Sequence, residues 1–431
     1  MSIKSIFSSA QKSTVYHPLL WLMAWGILIR LMLMPFFAHV DFLSEYGRIY
    51  QIVITQDCTR YLGRIVVVII EFICLRLFLP LIPNADSMLS FGQLAHSTAS
   101  LQDYFFFVNN PQVFRTLFLL KIPYLMADMG TALVISRIMA GKEKQTLAIK
   151  LWLFNPVTLY AFYIFGRFES IPIFFIAVSC WMIMKNRILL AAICLGIALN
   201  CREIIIIYVP FFCLSIMEFP ISRKAVFKTV IPSVILLACF YVIPAWIKNV
   251  YEYRMPDVAP GSDLESAHAF FAFQFNWFLP FIFSYVCIGL ANIEIARGIF
   301  FRFVLSSGLC VLFFLMIVAH SAHYVSWMIL FPILMMVYDR DILKPFVVYC
   351  CTWIVTWLFM TDSGVFTLFL ASPLSIDFSG FPNIPKIYAA RFGPKSLISL
   401  STAIWICRNG YAACILYLIY KMCKRPVHVT H

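Results

Sequence analysis

The sequence predicts an all-α, polytopic transmembrane helix bundle with about 11–13 spans. Of the 431 residues, 62% are hydrophobic and only 12% are charged, whereas a soluble domain carries about 25% charged residues. The chain has too few charged residues to cover a surface that faces water. Apolar segments recur along the whole chain, and the basic residues stand singly or in short clusters between them.

The net charge of +13 raises the question of an acidic partner such as nucleic acid. The basic residues, however, lie between apolar segments, which is the pattern of positively charged cytoplasmic loops. We therefore predict membrane lipids and no nucleic acid as partners. The 14 cysteines are scattered through apolar segments without CxxC spacing, and they are read as small buried side chains.

The apolar segments place the candidate spans near 17–38, 116–138, 148–166, 169–185, 188–202, 203–219, 229–247, 277–294, 303–320, 324–338, 345–360 and 401–421. Several are shorter than the ~20 residues that a perpendicular helix needs. A cytoplasmic N-terminus puts Arg137, Lys185 and Arg340 in inward loops, as the positive-inside rule requires.

These spans predict one transmembrane domain over 1–431, with long outward segments at 39–115, 248–276 and 361–400. Residues 64–83 are apolar enough to cross the membrane but contain Glu71 and Arg76. We place this segment on or partly in the outer leaflet, with interfacial helices in the first outward loop. A transmembrane segment is the alternative.

Ionisable residues fall at the outward helix ends in this topology, where each costs several kcal/mol unless it is paired or hydrated. Asp41 and Glu45 follow the first span with a spacing of four, so one helix would present both carboxylates on one face. We predict that one is a general base for an incoming hydroxyl and that the other orients the hydroxyl or holds a cation. A solvated acidic turn of helix is the alternative.

Four arginines accompany these acids: Arg48 and Arg64 in the first outward loop, and Arg167 and Arg202 at later outward helix ends. Guanidinium groups bind phosphate oxygens bidentately and keep their charge, so they suit a phosphate-bearing substrate. Among them Arg202 is the leading candidate. Internal ion pairs, as between Arg167 and Glu169, are the alternative.

Two histidines with i, i+3 spacing, His320 and His323, would lie on one helix face. No third metal ligand is evident, so hydrogen bonding to a substrate or headgroup is the preferred reading. Asn276 and Glu169 complete the predicted substrate-binding residues. Trp277 and Trp327 are interpreted as part of the interfacial aromatic belt.

Five short motifs occur in a fixed order along the chain. They are Arg30 before Asp41; Lys121-x-Pro123 before Asp128; Asn155-Pro156 followed by Gly166-Arg167-Phe168-Glu169; Asn276-Trp277; and His323-Tyr324 before Trp327 and Pro332. In this order the chain resembles a GT-C type membrane glycosyltransferase, similar to the polyprenyl-phosphate-sugar-dependent mannosyltransferases of the GPI type. It departs from them in having Glu169 for an aspartate, Arg202 for a lysine and no DxD motif.

The resemblance implies an inverting transfer of a sugar, with mannose as an example, from a polyprenyl-phosphate donor to a lipid, glycan or protein acceptor. The transfer would occur on the non-cytoplasmic face, with Asp41 as base and the outward arginines at the donor phosphate. This scheme requires no cofactor, and whether the transfer uses a divalent cation is left undecided. We expect an integral membrane protein, in a bacterial inner membrane ahead of the endoplasmic reticulum membrane.

Two other classes share a polar cavity in an apolar bundle. A transporter or lipid-linked glycan flippase is expected to show inverted repeats and broken helices near the midplane, and neither is evident in the sequence. A glycan polymerase or ligase would take a lipid-diphosphate oligosaccharide as donor. A non-catalytic membrane subunit is a third alternative, in which Asp41 would not affect any product.

Overall fold

The computed structural model describes residues 19–56, 64–89, 101–141, 144–217, 230–254, 281–293, 298–317, 322–360, 368–382, 384–392 and 399–424. Within these ranges the chain forms helices and no β-strand. The predicted all-α class is therefore confirmed for the described part of the protein.

The first half of the chain contains these helices: α1 (Leu19–Leu33), α2 (Val40–Thr55), α3 (Ile65–Phe78), α4 (Ala85–Leu89), α5 (Leu101–Val108), α6 (Val113–Leu120), α7 (Ile122–Ile138), α8 (Gln145–Leu153), α9 (Pro156–Leu159), α10 (Ser170–Met184), α11 (Ile188–Cys201) and α12 (Val209–Ile216). The second half contains these: α13 (Ile231–Arg254), α14 (Phe281–Ile293), α15 (Ile299–Ile317), α16 (Ser326–Met335), α17 (Leu343–Met360), α18 (Ile384–Phe392) and α19 (Leu400–Cys423).

Several helices are suited to a lipid bilayer. In the described residues four are long and apolar enough to cross it, at Gln145–Ile164, Ile299–Met316, Arg340–Leu358 and Thr402–Cys423. The pair α6 and α7, bent by 41°, is a fifth candidate, and further apolar helices of 10–17 residues coincide with the other predicted segments. The protein is thus a helical membrane protein, while the count of about 11–13 spans stays a prediction.

The exposed side chains agree with this assignment. On α1, Trp21, Trp25, Leu28 and Met32 form an exposed apolar stripe, with helical spacing. The opposite face of the same helix carries the fully buried Arg30. Because water would disfavour such a stripe, we assign it to contact with lipid.

Arg30 belongs to a buried polar network that joins α1 to the helices beside it. Its Nε donates to Asp128 of α7 at 2.6 Å, and Trp152 Nε1 of α8 and the Tyr163 hydroxyl each donate to the same carboxylate at 2.8 Å. A charged pair in an apolar bundle is tolerated when its hydrogen bonds are satisfied. The network therefore ties three helices together.

The predicted first outward segment contributes most of a second apolar core, which it shares with the bundle. Residues of α2 to α6 form a second apolar core with Phe168, Ile171 and Cys201, beside the larger core of the bundle. The start of the disputed segment at 64–83 contacts α2, since Arg64 pairs with Glu45 at 3.6 Å, and Tyr50 of α2 donates to Asp86 of α4. Whether α3 lies on the membrane surface or crosses it stays a prediction.

The other two outward segments are described only in part. Residues 255–276 lie outside the described residues. Of 361–400, the residues at 368–382 include two 3₁₀ turns and those at 384–392 form α18. The Ala38 amide donates to the Leu370 carbonyl at 3.0 Å, so this segment reaches the end of the turn that precedes α2.

Candidate functional site

Helix α2 carries both predicted acids near its start. His39 caps the helix, since its Nδ1 accepts the Asp41 amide at 3.1 Å. The Asp41 side chain is 41% exposed and that of Glu45 only 9%. The acid nearest the start of the helix is therefore accessible, and the acid one turn later is enclosed.

Each acid faces an arginine. An Asp41 oxygen lies 3.7 Å from Arg167 Nη1, while a Glu45 oxygen lies 3.6 Å from Arg64 and 4.0 Å from Arg48. The predicted shared face of α2 thus contacts three of the four predicted arginines. The name "charge cluster" is used below for Asp41, Glu45, Arg48, Arg64, Arg167, Glu169 and Arg202.

Arg167 reaches Asp41 because the chain turns sharply after α9. Asn155 caps α9 by accepting the Val157 amide at 2.9 Å, and a π-helical turn at Tyr160–Ile164 follows. Gly166 then has a φ of +82°, which side chains with a Cβ rarely adopt. π-Helical turns are often found at functional sites.

One aromatic ring holds three of the guanidinium groups. The Cζ atoms of Arg64, Arg167 and Arg202 lie 5.3, 5.3 and 5.4 Å from the centroid of Phe168. Cation–π attraction offsets part of the repulsion among three like charges. In the sequence motif Phe168 lies between the charged residues Arg167 and Glu169. The motif did not predict that its ring would contact three arginines.

Arg202 is about as buried as Arg167, with 9% and 10% of their side chains exposed. It pairs with Glu169 at 3.2 Å and lies 5.1 Å from the ring of Tyr324 and 5.7 Å from that of Trp327. Glu169 is fully buried and also accepts the Trp327 indole N–H at 2.6 Å. These two predicted substrate-binding residues contact each other.

The interpretation of Trp327 as part of the interfacial aromatic belt is wrong. Its side chain is 3% exposed and donates to a buried carboxylate in the bundle. A tryptophan near a helix end can face lipid or donate its indole N–H inside the bundle, and both roles fit the same hydropathy. The sequence therefore could not distinguish the two positions.

His323 joins the same neighbourhood through aromatic contacts. Its ring lies 4.6 Å from that of Phe165 and 4.2 Å from that of Tyr324. Phe165 also stacks on His39 at 3.9 Å, next to Asp41. His323 is 2% exposed and is therefore buried among aromatic rings beside the charge cluster.

Three predicted residues lie outside the described residues: Asn276, Trp277 and His320. No group of three or more His, Cys, Asp or Glu side chains that could hold a metal ion occurs in the part of the chain that the structure describes. This finding does not test whether the protein uses a divalent cation.

The charge cluster has an excess of positive charge. Within the charge cluster four guanidiniums (Arg48, Arg64, Arg167 and Arg202) face three carboxylates (Asp41, Glu45 and Glu169), which leaves one formal positive charge. A fourth carboxyl nearby, Glu71, is fully buried and accepts the Tyr124 hydroxyl. The charge cluster is suited to receive a monoanion.

The neighbouring charges also move pKa values. Burial and the nearby Arg202 lower the pKa of Arg64. Burial also disfavours the charge on Arg167, but Glu45, Asp41 and Glu169 outweigh it and raise its pKa. Burial lowers the pKa of His39 to about 4, so its imidazole is neutral near pH 7 and can accept the Asp41 amide.

The fold and the site define a helical membrane protein with a cluster of arginines and acids at one end of its bundle. No protein-family model matches the chain, and no curated protein or solved structure matches it either.

Proposed function

We propose that this protein is a GT-C type membrane glycosyltransferase. It would move a sugar such as mannose from a polyprenyl-phosphate donor to a hydroxyl of a lipid, glycan or protein acceptor, on the non-cytoplasmic face and with inversion. The observation that carries the proposal is the pairing of the exposed Asp41 with Arg167 at 3.7 Å, at the edge of a cluster with excess positive charge.

This arrangement supplies what a single displacement needs. The acceptor oxygen forms a bond to the anomeric carbon while the Asp41 carboxylate takes the proton of the hydroxyl. The bond from that carbon to the phosphate oxygen breaks, and its electron pair stays on the lipid phosphate. The leaving phosphodiester monoanion becomes a monoester dianion, and fixed guanidiniums stabilise the added charge.

The contacts suggest a division of labour among the arginines. Arg48 and Arg64 are 35% and 33% exposed, and together with Arg167 they surround the two acids of α2. We assign the donor phosphate to these three. Arg202, held by Glu169 and three aromatic rings, would support them from behind through Phe168.

The other predicted residues keep secondary roles in the proposal. Glu45 aligns Arg48 and Arg64, since it lies within 4.0 Å of both. Asn276 and His320 are assigned to the donor or acceptor headgroup, a role that the sequence motifs suggest, whereas the buried His323, predicted for the same role, would support the site through its contacts with Phe165 and Tyr324. The proposal names only the class of the acceptor, a hydroxyl of a lipid, glycan or protein, and the class of the donor, a polyprenyl-phosphate sugar.

The proposal is tested with full-length protein purified in lipid nanodiscs and a panel of radiolabelled polyprenyl-phosphate sugars. Asp41→Asn is expected to lower transfer by roughly 10²–10⁴-fold, since it removes a general base but keeps the shape of the side chain. Asp377→Asn, an exposed acid in the first turn of another outward helical segment, is the matched control and should transfer normally.

Three results would contradict the proposal. Equal transfer by Asp41→Asn and the wild type would remove the base assignment. Transfer only from lipid-diphosphate oligosaccharides would indicate a polymerase or ligase. Movement of intact lipid-linked glycan across the bilayer without bond cleavage would indicate a flippase.

A further inference from the structure

The strongest feature outside the charge cluster is a buried lysine. Lys121 lies between α6 and α7, where the two helices bend by 41°, and its side chain is fully buried. Its Nζ donates to three backbone carbonyls: Met34 at 3.0 Å, Tyr163 at 2.7 Å and Phe37. These three carbonyls are called the carbonyl cradle below.

The carbonyl cradle fits an ammonium group. A lysine ammonium has three N–H donors and no acceptor, and three carbonyl oxygens take all of them. A neutral amine would leave one of the three carbonyls without a donor. Its hydrogen-bond partners here are backbone carbonyls, which are among the groups that make a buried charge tolerable in a membrane protein.

The carbonyl cradle joins two separate segments of the chain. Met34 and Phe37 belong to the turn after α1, and Phe37 precedes Asp41 by four residues. Tyr163 belongs to the π-helical turn, and it precedes Arg167 by four residues. One side chain therefore fixes the starting points of the two segments that bring Asp41 and Arg167 together.

The surroundings of Lys121 leave little room for movement. A Cβ on Gly166 would lie 3.3 Å from Lys121 Cε and 3.1 Å from the ring of Phe42. Lys121 Nζ in turn lies 5.4 Å from the centroid of that ring. The lysine stem is thus packed between the two segments that its ammonium links.

We propose that Lys121 is a positioning residue, whose ammonium acts as a tethered cation and sets the separation of Asp41 from Arg167. The inference rests on the proposed function for its catalytic meaning. Arginine is a poor replacement, because its planar fork does not converge on three carbonyls as a compact ammonium does.

The test replaces the side chain and then supplies its missing part. Lys121→Ala removes three carbons and the nitrogen, which n-propylammonium reproduces. Full-length protein is purified in nanodiscs with n-propylammonium, tetramethylammonium or 1-propanol, and its melting temperature, kcat and donor KM are measured. Lys150→Ala, at an exposed position of α8, is the control.

We expect Lys121→Ala to lower the melting temperature and to lower kcat by ~100-fold, as for a misplacement of about 1 Å, with little change in donor KM. Only n-propylammonium should restore both, since tetramethylammonium has no N–H donor and 1-propanol has no charge. Lys121→Arg should remain defective. The Lys150→Ala variant should match the wild type in every condition.

The inference is overturned if Lys121→Ala behaves like Lys150→Ala, or if n-propylammonium restores no more than tetramethylammonium does. The melting temperature does not depend on glycosyl transfer. If the wild type uses no donor, the proposed function fails, while rescue of the melting temperature still decides whether the carbonyl cradle holds the two segments.

Discussion

At the scale of single residues, the charge cluster separates into an exposed and a buried part. Asp41, Arg48 and Arg64 are each at least one third exposed, whereas Glu169 and Arg202 are enclosed by aromatic rings. The exposed part can meet a ligand from water. The buried part can only maintain the geometry of its neighbours.

A substitution in the buried part should therefore cost stability. Glu169→Gln leaves the guanidinium of Arg202 without its carboxylate, and we expect the free energy of unfolding to fall by about 3 kcal/mol. The exposed Glu203→Gln, next along the chain from Arg202, should change it by less than about 0.5 kcal/mol. Denaturation of both variants in the same detergent measures the difference.

A double variant separates the ion pair from simple packing. Glu169→Gln with Arg202→Met removes both charges, so it should be more stable than Glu169→Gln alone. If Glu169→Gln proves as stable as Glu203→Gln, the pair carries no structural role.

His39 makes the outward end of α2 sensitive to acid. Burial, opposed by Asp41 and reinforced by Arg167, lowers the pKa of His39 from 6.5 to about 4. At a pH between about 4 and 6.5, the His39 imidazole is protonated in the unfolded chain and neutral in the folded chain. This contribution to stability is therefore complete above pH 6.5 and is lost as the pH falls towards 4.

The comparison with His39→Asn isolates this effect, because asparagine can also cap a helix but does not titrate. From pH 6.5 to 4 the wild type should lose about 2–3 kcal/mol more stability than His39→Asn. Thermal unfolding across that range gives the measurement. Parallel pH profiles of the two proteins would contradict the assignment.

At the scale of elements, the turn between α9 and α10 determines where Arg167 stands. The π-helical turn adds a residue to the helix, and Gly166 then redirects the chain with its left-handed φ of +82°. A side chain at this position would be strained by its backbone and would also press on Phe42 and Lys121.

Gly166→Ala should consequently lower the free energy of unfolding by about 1–3 kcal/mol. Because Arg167 follows directly and is proposed to stabilise the charge on the leaving phosphate, kcat should fall as well. Gly410→Ala is the matched control: it lies in α19 with open space around its Cβ, and alanine favours a helix. Equal stability of the two variants would show that the turn tolerates a side chain.

At the scale of the whole molecule, the position of α3 decides which side of the membrane every later helix end faces. Arg64, just before α3, contacts Glu45 of α2, and Asp86 of α4 contacts Tyr50 of α2, so we expect the chain to enter and leave α3 on one side of the membrane. Short epitope tags after Gln56 and after Asn84 should hence react from the same, non-cytoplasmic side of sealed vesicles. A tag after Asn186, in the turn before α11, should react only after permeabilisation.

If the tags at Gln56 and Asn84 react from opposite sides, α3 crosses the bilayer and the topology inverts after it. Insertion at these positions is tolerable because Gln56, Asn84 and Asn186 lie in exposed turns.

The sequence predicted the helices and the gathering of charges for different reasons. Apolar runs determine where helices form in lipid, so the predicted segments coincide with apolar helices. The cost of isolated charges predicted that acids and arginines would gather, and the structure pairs Asp41 with Arg167 and Glu169 with Arg202. Pairs such as Glu169 with Trp327, 158 residues apart, leave no periodic signal and could not be predicted.

The same limit applies to Lys121. The motif that contains it drew attention to the position, but its partners are backbone carbonyls, which any sequence provides. Only the fold shows which carbonyls converge.

Phe168 has a consequence for how this protein can vary through evolution. A single ring serves guanidiniums that belong to three distant parts of the chain. Replacing Arg64, Arg167 or Arg202 should therefore matter less once the ring itself has been lost, so the four positions behave as one genetic unit. Lineages that change one of them are expected to change the others together.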